Sequence, residues 1–89
     1  MTLDFDPVKN LLNQDKHGYA LSLANDLEWE RALIWADLRK PYTEKRMSAF
    51  VPRGEVLFFV AFVDRGSIRR VISLRQANSR EVKRYVDNA

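Results

Sequence analysis

The hydrophobic positions in the first part of the chain follow a helical period. Val8, Leu11 and Leu12 recur at the spacing of one helix face. An Asp-Pro pair precedes them and Gly18 follows them. These are helix start and stop signals, because aspartate caps free N–H groups and glycine accepts left-handed backbone. The pattern predicts a helix between these signals, preceded by a short strand in the alternating segment LDFD, residues 3–6.

The segment that follows this helix is ambiguous. Ser22 can cap a second short helix from about Leu23, but nothing marks where that helix ends. Apolar residues from Leu27 onward would continue a helix face, whereas ALIW, residues 32–35, is equally compatible with a strand. The sequence leaves both conformations open before a polar connection at residues 37–43.

From residue 45 onward the pattern changes to the two-residue period of strands. Residues 45–51 (KRMSAFV) alternate, residues 56–63 (VLFFVAFV) are apolar throughout, and residues 68–75 (IRRVISLR) alternate again. The continuous apolar run predicts a central strand buried on both sides, and the glycine-containing turns predict an antiparallel meander. Asn78, followed three residues later by Glu81, predicts a capping box that opens a C-terminal helix.

These elements predict one α+β domain over residues 1–89. Its sheet is a three-stranded antiparallel meander with an N-terminal strand as a fourth member, with two helices before the meander and one after it. The C-terminal helix has an apolar side, Val82, Tyr85 and Val86, and a basic side, Arg80, Lys83 and Arg84. The apolar side is predicted to pack on the core, including Tyr85.

Positive charge is concentrated in the second half of the chain. Residues 1–44 hold five basic and eight acidic side chains, net −3, and residues 45–89 hold ten basic and four acidic, net +6. Arginine outnumbers lysine eight to two after residue 44. This bias favours bidentate recognition of phosphate. The basic half therefore indicates a polyanion or an acidic protein as partner, with a solvated basic face as the plain alternative.

Strand alternation predicts where this charge lies. If the apolar positions of the meander face the helices, Arg46, Arg69 and Arg75 share the opposite face of the sheet. Three guanidinium groups on one face repel one another unless an anion or acidic side chains neutralise them. Glu44 and Glu81 are the nearest acids in the sequence. The alternatives are a phosphate-binding surface and an arginine–glutamate network.

Other classes are excluded by what the sequence lacks. It has no cysteine and one histidine, which excludes a disulfide scaffold, a thiolate metal site and a site with several histidines. No apolar run approaches the length of a membrane span, and the N-terminus has no apolar signal core. We therefore expect a cytoplasmic protein with no membrane association and no metal or other cofactor.

Four motifs together resemble the BrnT family of type II toxins, within the RelE-like group of small ribonucleases. Their order and spacing cover most of the chain. The resemblance implies a RelE-like fold in which the ALIW segment is extended or irregular. The motifs are FDPVKNLLNQDKHG (residues 5–18), YTEKR (42–46), VDRG (63–66) and RRVISLRQANSREVKRY (69–85).

This resemblance implies a metal-independent endoribonuclease that inhibits translation and growth. It also implies a cognate antitoxin, a BrnA-like protein with a ribbon-helix-helix DNA-binding domain, through which the complex would contact operator DNA. Two alternatives remain: a non-catalytic nucleic-acid-binding module, and an inactive toxin homologue that only binds its antitoxin.

Metal-free RNA cleavage needs a proton acceptor, cations that stabilise the phosphorane, and a proton donor for the leaving oxygen. Arg46 and Arg75 match the family's YxExR and ISxR positions and are predicted to hold the phosphate. His17 is predicted to transfer a proton, because the ordinary pKa of histidine lies near neutrality. The alternative for His17 is stabilisation of the helix dipole. Glu44 is predicted either to be a base or to orient Arg46.

Five other cations are predicted to contact the RNA backbone without reading its sequence. The three on the C-terminal helix could instead contact an acidic antitoxin segment. Glu81 is interpreted as the capping-box acid rather than as a catalyst. The five cations are Lys16, Arg69, Arg80, Lys83 and Arg84.

Overall fold

The computed structural model describes residues 1–88. Their elements, in chain order, are strand β1 (Thr2–Asp4), helix α1 (Pro7–His17), two 3₁₀ helices (Leu21–Asp26 and Trp29–Arg31), strands β2 (Leu33–Ala36), β3 (Arg46–Arg53), β4 (Val56–Arg65) and β5 (Ile68–Gln76), and helix α2 (Ser79–Asp87). None of these helices is long and apolar enough to cross a membrane.

The strands described form one mixed sheet in the order β1-β5-β4-β3-β2. β1 lies parallel to β5, and the other neighbouring pairs are antiparallel. The α+β class and the meander are therefore confirmed, but the sheet has five strands and is not wholly antiparallel. The additional strand is β2, so the ambiguous ALIW segment is extended where it pairs with β3.

The predicted second helix is a 3₁₀ helix that begins at Leu21, before the expected cap at Ser22. The spacing of its apolar residues explains this outcome. Leu21, Ala24 and Leu27 are buried and recur at every third position, which matches the three residues per turn of a 3₁₀ helix. This segment therefore places one apolar row against the sheet.

The hydrophobic core lies between this row and one face of the sheet. Phe58, Val60 and Phe62 alternate along β4 and pack there, together with Val51 and Leu74 from the neighbouring strands. The opposite face of β4 is also largely buried, as the continuous apolar run predicted. We call this opposite side, which carries α2, the open face.

A β-bulge interrupts the pairing of β4 with β5. Ala61 pairs with Ser73 and Phe62 pairs with Val71, so Ile72 is an extra residue on β5. An extra residue moves every side chain beyond it to the other face of the sheet. The faces predicted for the first half of β5 are therefore reversed.

The bulge corrects one prediction about the arginine cluster. Arg69 pairs with Asp64 and lies on the core side, not on the open face with Arg46 and Arg75. Arg70 lies on the open face instead, opposite Val63. The shared face therefore carries Arg46, Arg70 and Arg75.

Helix α1 forms as predicted but meets the sheet through a polar side chain. The carboxylate of Asp6 caps its start, and Gly18 ends it at φ 80°. Asn13 is buried and bonds the edge of β5: its Nδ2 donates to the carbonyl oxygen of Leu74 over 2.8 Å, and its Oδ1 accepts from the Leu74 amide over 3.2 Å. The apolar side of α1, which includes Leu11, is exposed to solvent.

Replacing Asn13 with alanine is expected to destabilise the fold by about 1–3 kcal/mol, because the buried polar groups of Leu74 lose their partner. The measurement is urea unfolding followed by circular dichroism. Gln14→Ala, on the exposed side of the same helix, is the matched control and should stay close to wild type. Equal unfolding midpoints for the two variants would contradict this assignment.

Helix α2 lies on the open face and is held by few contacts. The predicted capping box is present: the side chain of Asn78 accepts from the Glu81 amide, and the Glu81 carboxylate accepts from the Asn78 amide, each over 2.9 Å. The prediction that Tyr85 packs in the core is wrong. Its hydroxyl donates to the carbonyl oxygen of Arg31 over 2.7 Å, and no residue of α2 between 79 and 87 is buried.

Candidate active site

A cleft of about 440 Å³ lies on the open face, between α2 and the connection that follows β2. Its size suits part of a nucleotide chain. The lining combines three arginines, two acids and two aromatic rings with small and apolar groups. The lining residues are Trp35, Ala36, Asp37, Leu38, Arg39, Ser48, Phe59, Arg75, Glu81 and Arg84.

Arg75 is the predicted phosphate-binding residue that the structure places in this cleft. Its guanidinium stacks over the ring of Phe59, 4.4 Å from the ring centroid. Its two terminal nitrogens donate to the two carboxylate oxygens of Glu81 over 2.7 and 2.9 Å. This pairing raises the pKa of Arg75, while burial opposes the shift. A rigid, charged fork therefore faces the cleft wall, which is the geometry that binds phosphate.

Glu81 thus has a second role beside the capping box. The hydrogen bond from Arg75, helped by the Asn78 amide, lowers the pKa of Glu81, while burial opposes the shift. The carboxylate is therefore ionised at neutral pH. The predicted arginine–glutamate network exists here, with the acid reaching the cleft from α2.

Arg46 shares the open face with Arg75, as predicted, but stands at its other end. Arg46 lies four residues along β3 from Phe50, which is in line with Phe59 and Arg75 across the sheet. At ~3.3 Å per strand residue, this is an offset of about 13 Å. The backbones of the two arginines are therefore well separated, and the side chain of Arg46 approaches the cleft at Asp37.

A buried carboxylate, Asp37, organises the Arg46 end. Its side chain is 2% exposed and accepts hydrogen bonds from Arg39 over 2.9 and 2.8 Å and from the Tyr42 hydroxyl over 3.1 Å. The bonds from Arg39 are the main reason why the pKa of Asp37 is strongly lowered. Arg46 Nε lies 3.9 Å from Asp37, and that buried nitrogen has no hydrogen-bond partner within residues 1–88.

Glu44 does not orient Arg46. It forms a bidentate ion pair with Arg65, over 2.7 and 2.6 Å, on an exposed part of the surface. This pairing lowers the pKa of Glu44. Glu44 does not line the cleft that contains Arg75.

His17 lies at the end of α1, in a small groove beside β5. The groove has a volume of about 190 Å³ and also contains Lys16, Lys9 and Ser73. Burial, then the charges of Lys16 and Arg75, lower the pKa of His17. The imidazole is therefore mostly neutral at pH 7, so it contributes little to the helix dipole there. Arg75 lies two positions along β5 from Ser73, on the same face of the strand, and so lies beside this groove.

A family model described as "Ribonuclease toxin, BrnT, of type II toxin-antitoxin system" matches residues 5–81. The chain belongs to the BrnT family. The resemblance carried by the four sequence motifs is thereby confirmed. Comparison with curated proteins gives no match. A ribonuclease toxin of a type II system has a cognate antitoxin, so an antitoxin partner follows from the family.

The BrnT match begins directly after β1, ends in the first turn of α2 and includes the cleft residues Arg75 and Glu81. Arg84 lies just beyond it and stacks on Trp35, 4.6 Å from the ring centroid, at the cleft wall. Arg80 is exposed beside Arg84. These two predicted RNA-binding residues thus lie near Arg75.

Two other predicted RNA-binding residues of this BrnT toxin lie away from the cleft. Lys83 points into solvent and pairs with Asp87 over 3.0 Å. Arg69 is on the core side, where it bonds Asp64 over 2.7 and 3.0 Å and stacks over Phe62 at 4.1 Å. The structure therefore gives Arg69 a packing role.

Part of the site was not predicted from the sequence. Asp37 and Arg39 belong to a segment predicted only as a polar connection, and Ser48 and Phe59 were not predicted as site residues. No local signal marks these residues, because the cleft is assembled by strand pairing between distant segments. No three potential metal-ligating side chains come together within the described part of this BrnT chain.

Proposed function

We propose that this protein is an endoribonuclease toxin that cleaves RNA through attack by the substrate's own 2′-hydroxyl, without a metal ion, and so inhibits translation and growth. The observation that carries the proposal is the position of Arg75. Its guanidinium lines a cleft of nucleotide size, and Arg75 lies two positions along β5 from Ser73, which lines the groove of His17.

Arg75 is proposed to hold the scissile phosphate and to stabilise the additional negative charge of the phosphorane. Guanidinium donors that are already oriented lower the barrier, because no reorganisation is needed as the charge develops. Stacking on Phe59 orients the guanidinium before RNA arrives, and the phosphate then takes the place of Glu81 at its terminal nitrogens. Arg84, at the same cleft, is proposed to contact the adjoining part of the backbone.

His17 is proposed to transfer a proton at the scissile phosphodiester. It is half-buried, and burial with the charges of Lys16 and Arg75 lowers its pKa, so the imidazolium form gains population as the pH falls. Lys16, the exposed residue before His17, is proposed to attract the RNA backbone to the same groove. Glu44 is held by Arg65 away from the cleft. The reaction transfers two protons, one from the attacking 2′-hydroxyl and one to the leaving oxygen, so a group other than Glu44 must transfer the proton that His17 does not.

Arg46 is proposed to bind a different phosphate of the same strand. Its backbone is offset by about 13 Å from that of Arg75 along the sheet, so the two side chains enter the open face at different points. Asp37 and Tyr42 limit the positions that its guanidinium can take. Arg80 and Lys83, which are exposed on α2, would add salt-dependent and sequence-independent attraction.

The partner is proposed to be a BrnA-like antitoxin with a ribbon-helix-helix domain, through which the complex contacts operator DNA. The family supports an antitoxin in general, and the finer identity rests on the resemblance. A RelE-like fold is proposed from the same resemblance. A cytoplasmic location is proposed as well, since RNA and ribosomes are found there.

Purified protein is expected to cut single-stranded RNA in excess EDTA and to leave 2′,3′-cyclic phosphate ends. Attack by the neighbouring 2′-hydroxyl produces this end group, whereas attack by water produces an uncyclised end. Fragments with a 2′,3′-cyclic phosphate end should resist polyadenylation. They should become substrates for polyadenylation after acid treatment and phosphatase have removed that phosphate. A second arm uses mRNA in a translating extract, where a ribosome-dependent enzyme would act.

Three results would contradict the proposal. Cleavage of free RNA that stops in EDTA would exclude metal-free chemistry, and uncyclised 3′-hydroxyl ends would exclude the 2′-hydroxyl nucleophile. Retention of RNA without cleavage in both arms would show a binding module.

A further inference from the structure

The proposed chemistry needs a proton acceptor for the 2′-hydroxyl, and the cleft offers two carboxylates, Asp37 and Glu81. Asp37 is an unsuitable acceptor, because its side chain is 2% exposed and both oxygens are bonded by Arg39. Glu81 is 19% exposed and lies against Arg75, the residue proposed to hold the scissile phosphate. A base that acts on the 2′-hydroxyl must lie beside that phosphate.

We propose that Glu81 is the general base of the reaction: it accepts the proton of the attacking 2′-hydroxyl. This inference rests on the proposed function and adds a residue to it. As the proton moves to Glu81, the bond from the 2′-oxygen to phosphorus forms and the bond from phosphorus to the 5′-oxygen breaks. His17, as imidazolium, gives a proton to that leaving oxygen. The products are a 2′,3′-cyclic phosphate and a 5′-hydroxyl, and exchange with water then restores both side chains.

The ion pair with Arg75 explains how Glu81 can become more basic when RNA binds. In the free protein both carboxylate oxygens accept from Arg75. A phosphodiester is also an anion that binds a guanidinium fork, so it competes for the same nitrogens. Once the phosphate takes them, Glu81 loses its main stabilising partner and lies beside a negative charge. Both changes favour protonation of Glu81 at the moment when a proton must be accepted.

The charged groups around Glu81 are compatible with this role. Arg75 approaches from β5, Arg80 and Arg84 flank it on α2, and Arg39 with Asp37 lies across the cleft. The positive neighbours keep the carboxylate ionised, and hence ready to accept a proton, at neutral pH.

The capping box gives a sharp way to separate this role from a structural one. Glutamine serves in a capping box as glutamate does, but its amide cannot accept the proton. Glu81→Gln should therefore preserve α2 while removing the base. The opposite change, Asn78→Ala, removes the other half of the capping box and leaves the carboxylate in place.

The test measures single-turnover cleavage of RNA by wild type, Glu81→Gln and Asn78→Ala. The substrate is free RNA, or mRNA in a translating extract if the wild type cleaves only there. Glu81→Gln is expected to lower the maximal rate by about 100-fold or more without raising the half-saturating RNA concentration, because Arg75 is then free to bind phosphate. Asn78→Ala is expected to lower the melting temperature and to cleave within a few-fold of wild type at a temperature where it is folded.

A second substrate distinguishes the acceptor from the donor. In this RNA, sulfur replaces the leaving 5′-oxygen at the mapped cleavage position, and a thiolate leaves without a proton. His17→Ala should recover most of its rate on the sulfur substrate, whereas Glu81→Gln should stay slow. This comparison holds even if Glu81→Gln is less stable, because both substrates are presented to the same folded fraction.

The outcomes separate the inference from the function on which it rests. Wild-type cleavage with cyclic phosphate ends, together with an unimpaired Glu81→Gln variant, would overturn Glu81 as the base and leave the proposed function standing. Glu81 would also be overturned as the base if Glu81→Gln raised only the half-saturating RNA concentration, or if the sulfur substrate restored its cleavage rate. If wild type gives no cyclic phosphate ends, both fail.

Discussion

Replacing Arg75 with alanine is expected to lower the rate of RNA cleavage by about 10²–10³-fold, the usual cost of losing an oriented donor to a developing anion. The guanidinium is paired with Glu81 and stacked on Phe59 before RNA binds, so its loss removes a preformed contact. The measurement is single-turnover cleavage with RNA in excess over its half-saturating concentration.

Two further variants make the Arg75 result specific. Arg75→Lys keeps the charge but loses the fork, so its rate should fall between those of wild type and Arg75→Ala. Arg53→Ala removes an exposed arginine from the end of β3 and should cleave normally. Circular dichroism must show an intact fold for each variant, since Arg75 also holds α2 through Glu81. Full activity of a folded Arg75→Ala variant would remove this residue from the mechanism.

Replacing His17 with alanine is expected to slow cleavage of normal RNA by about 10²–10⁴-fold, the range for loss of a general acid or base. The pH profile gives an independent check. A proton donor works only when protonated, so activity is lost as pH rises through the pKa of His17. Burial, Lys16 and Arg75 lower this pKa, so the alkaline limb of kcat/KM should lie below pH 6.5.

The charges around His17 provide the control for that profile. Lys9, Lys16 and Arg75 are the charged side chains that share its groove or affect its pKa. Lys16→Gln removes one of the causes of the lowered pKa, so it should move the alkaline limb to higher pH without abolishing cleavage. If His17→Ala cleaved RNA at the full rate with an unchanged alkaline limb, the group that titrates would not be His17.

Features set by neighbouring residues were predictable from the sequence. The Asp-Pro start and Gly18 end of α1, the capping box of α2 and the meander all follow from signals within a few residues of one another. The family was also recognisable, because its motifs extend over most of the chain.

The features that were mispredicted depend on contacts between distant residues. The bulge at Ile72 leaves no trace in the alternation of β5, yet it exchanges the faces of Arg69 and Arg70. Glu44 pairs with Arg65, 21 positions away, and not with its neighbour Arg46. Such choices depend on strand register and three-dimensional distance, which a local pattern does not encode.

The weak anchoring of α2 has a consequence for the enzyme as a whole. This helix supplies Glu81 and Arg84 to the cleft, but none of its residues between 79 and 87 is buried. Segments with little buried surface open at a lower free energy than the global fold. The proposed active site should therefore lose its structure on gentle warming while the sheet persists, so that thermal inactivation precedes melting of the protein.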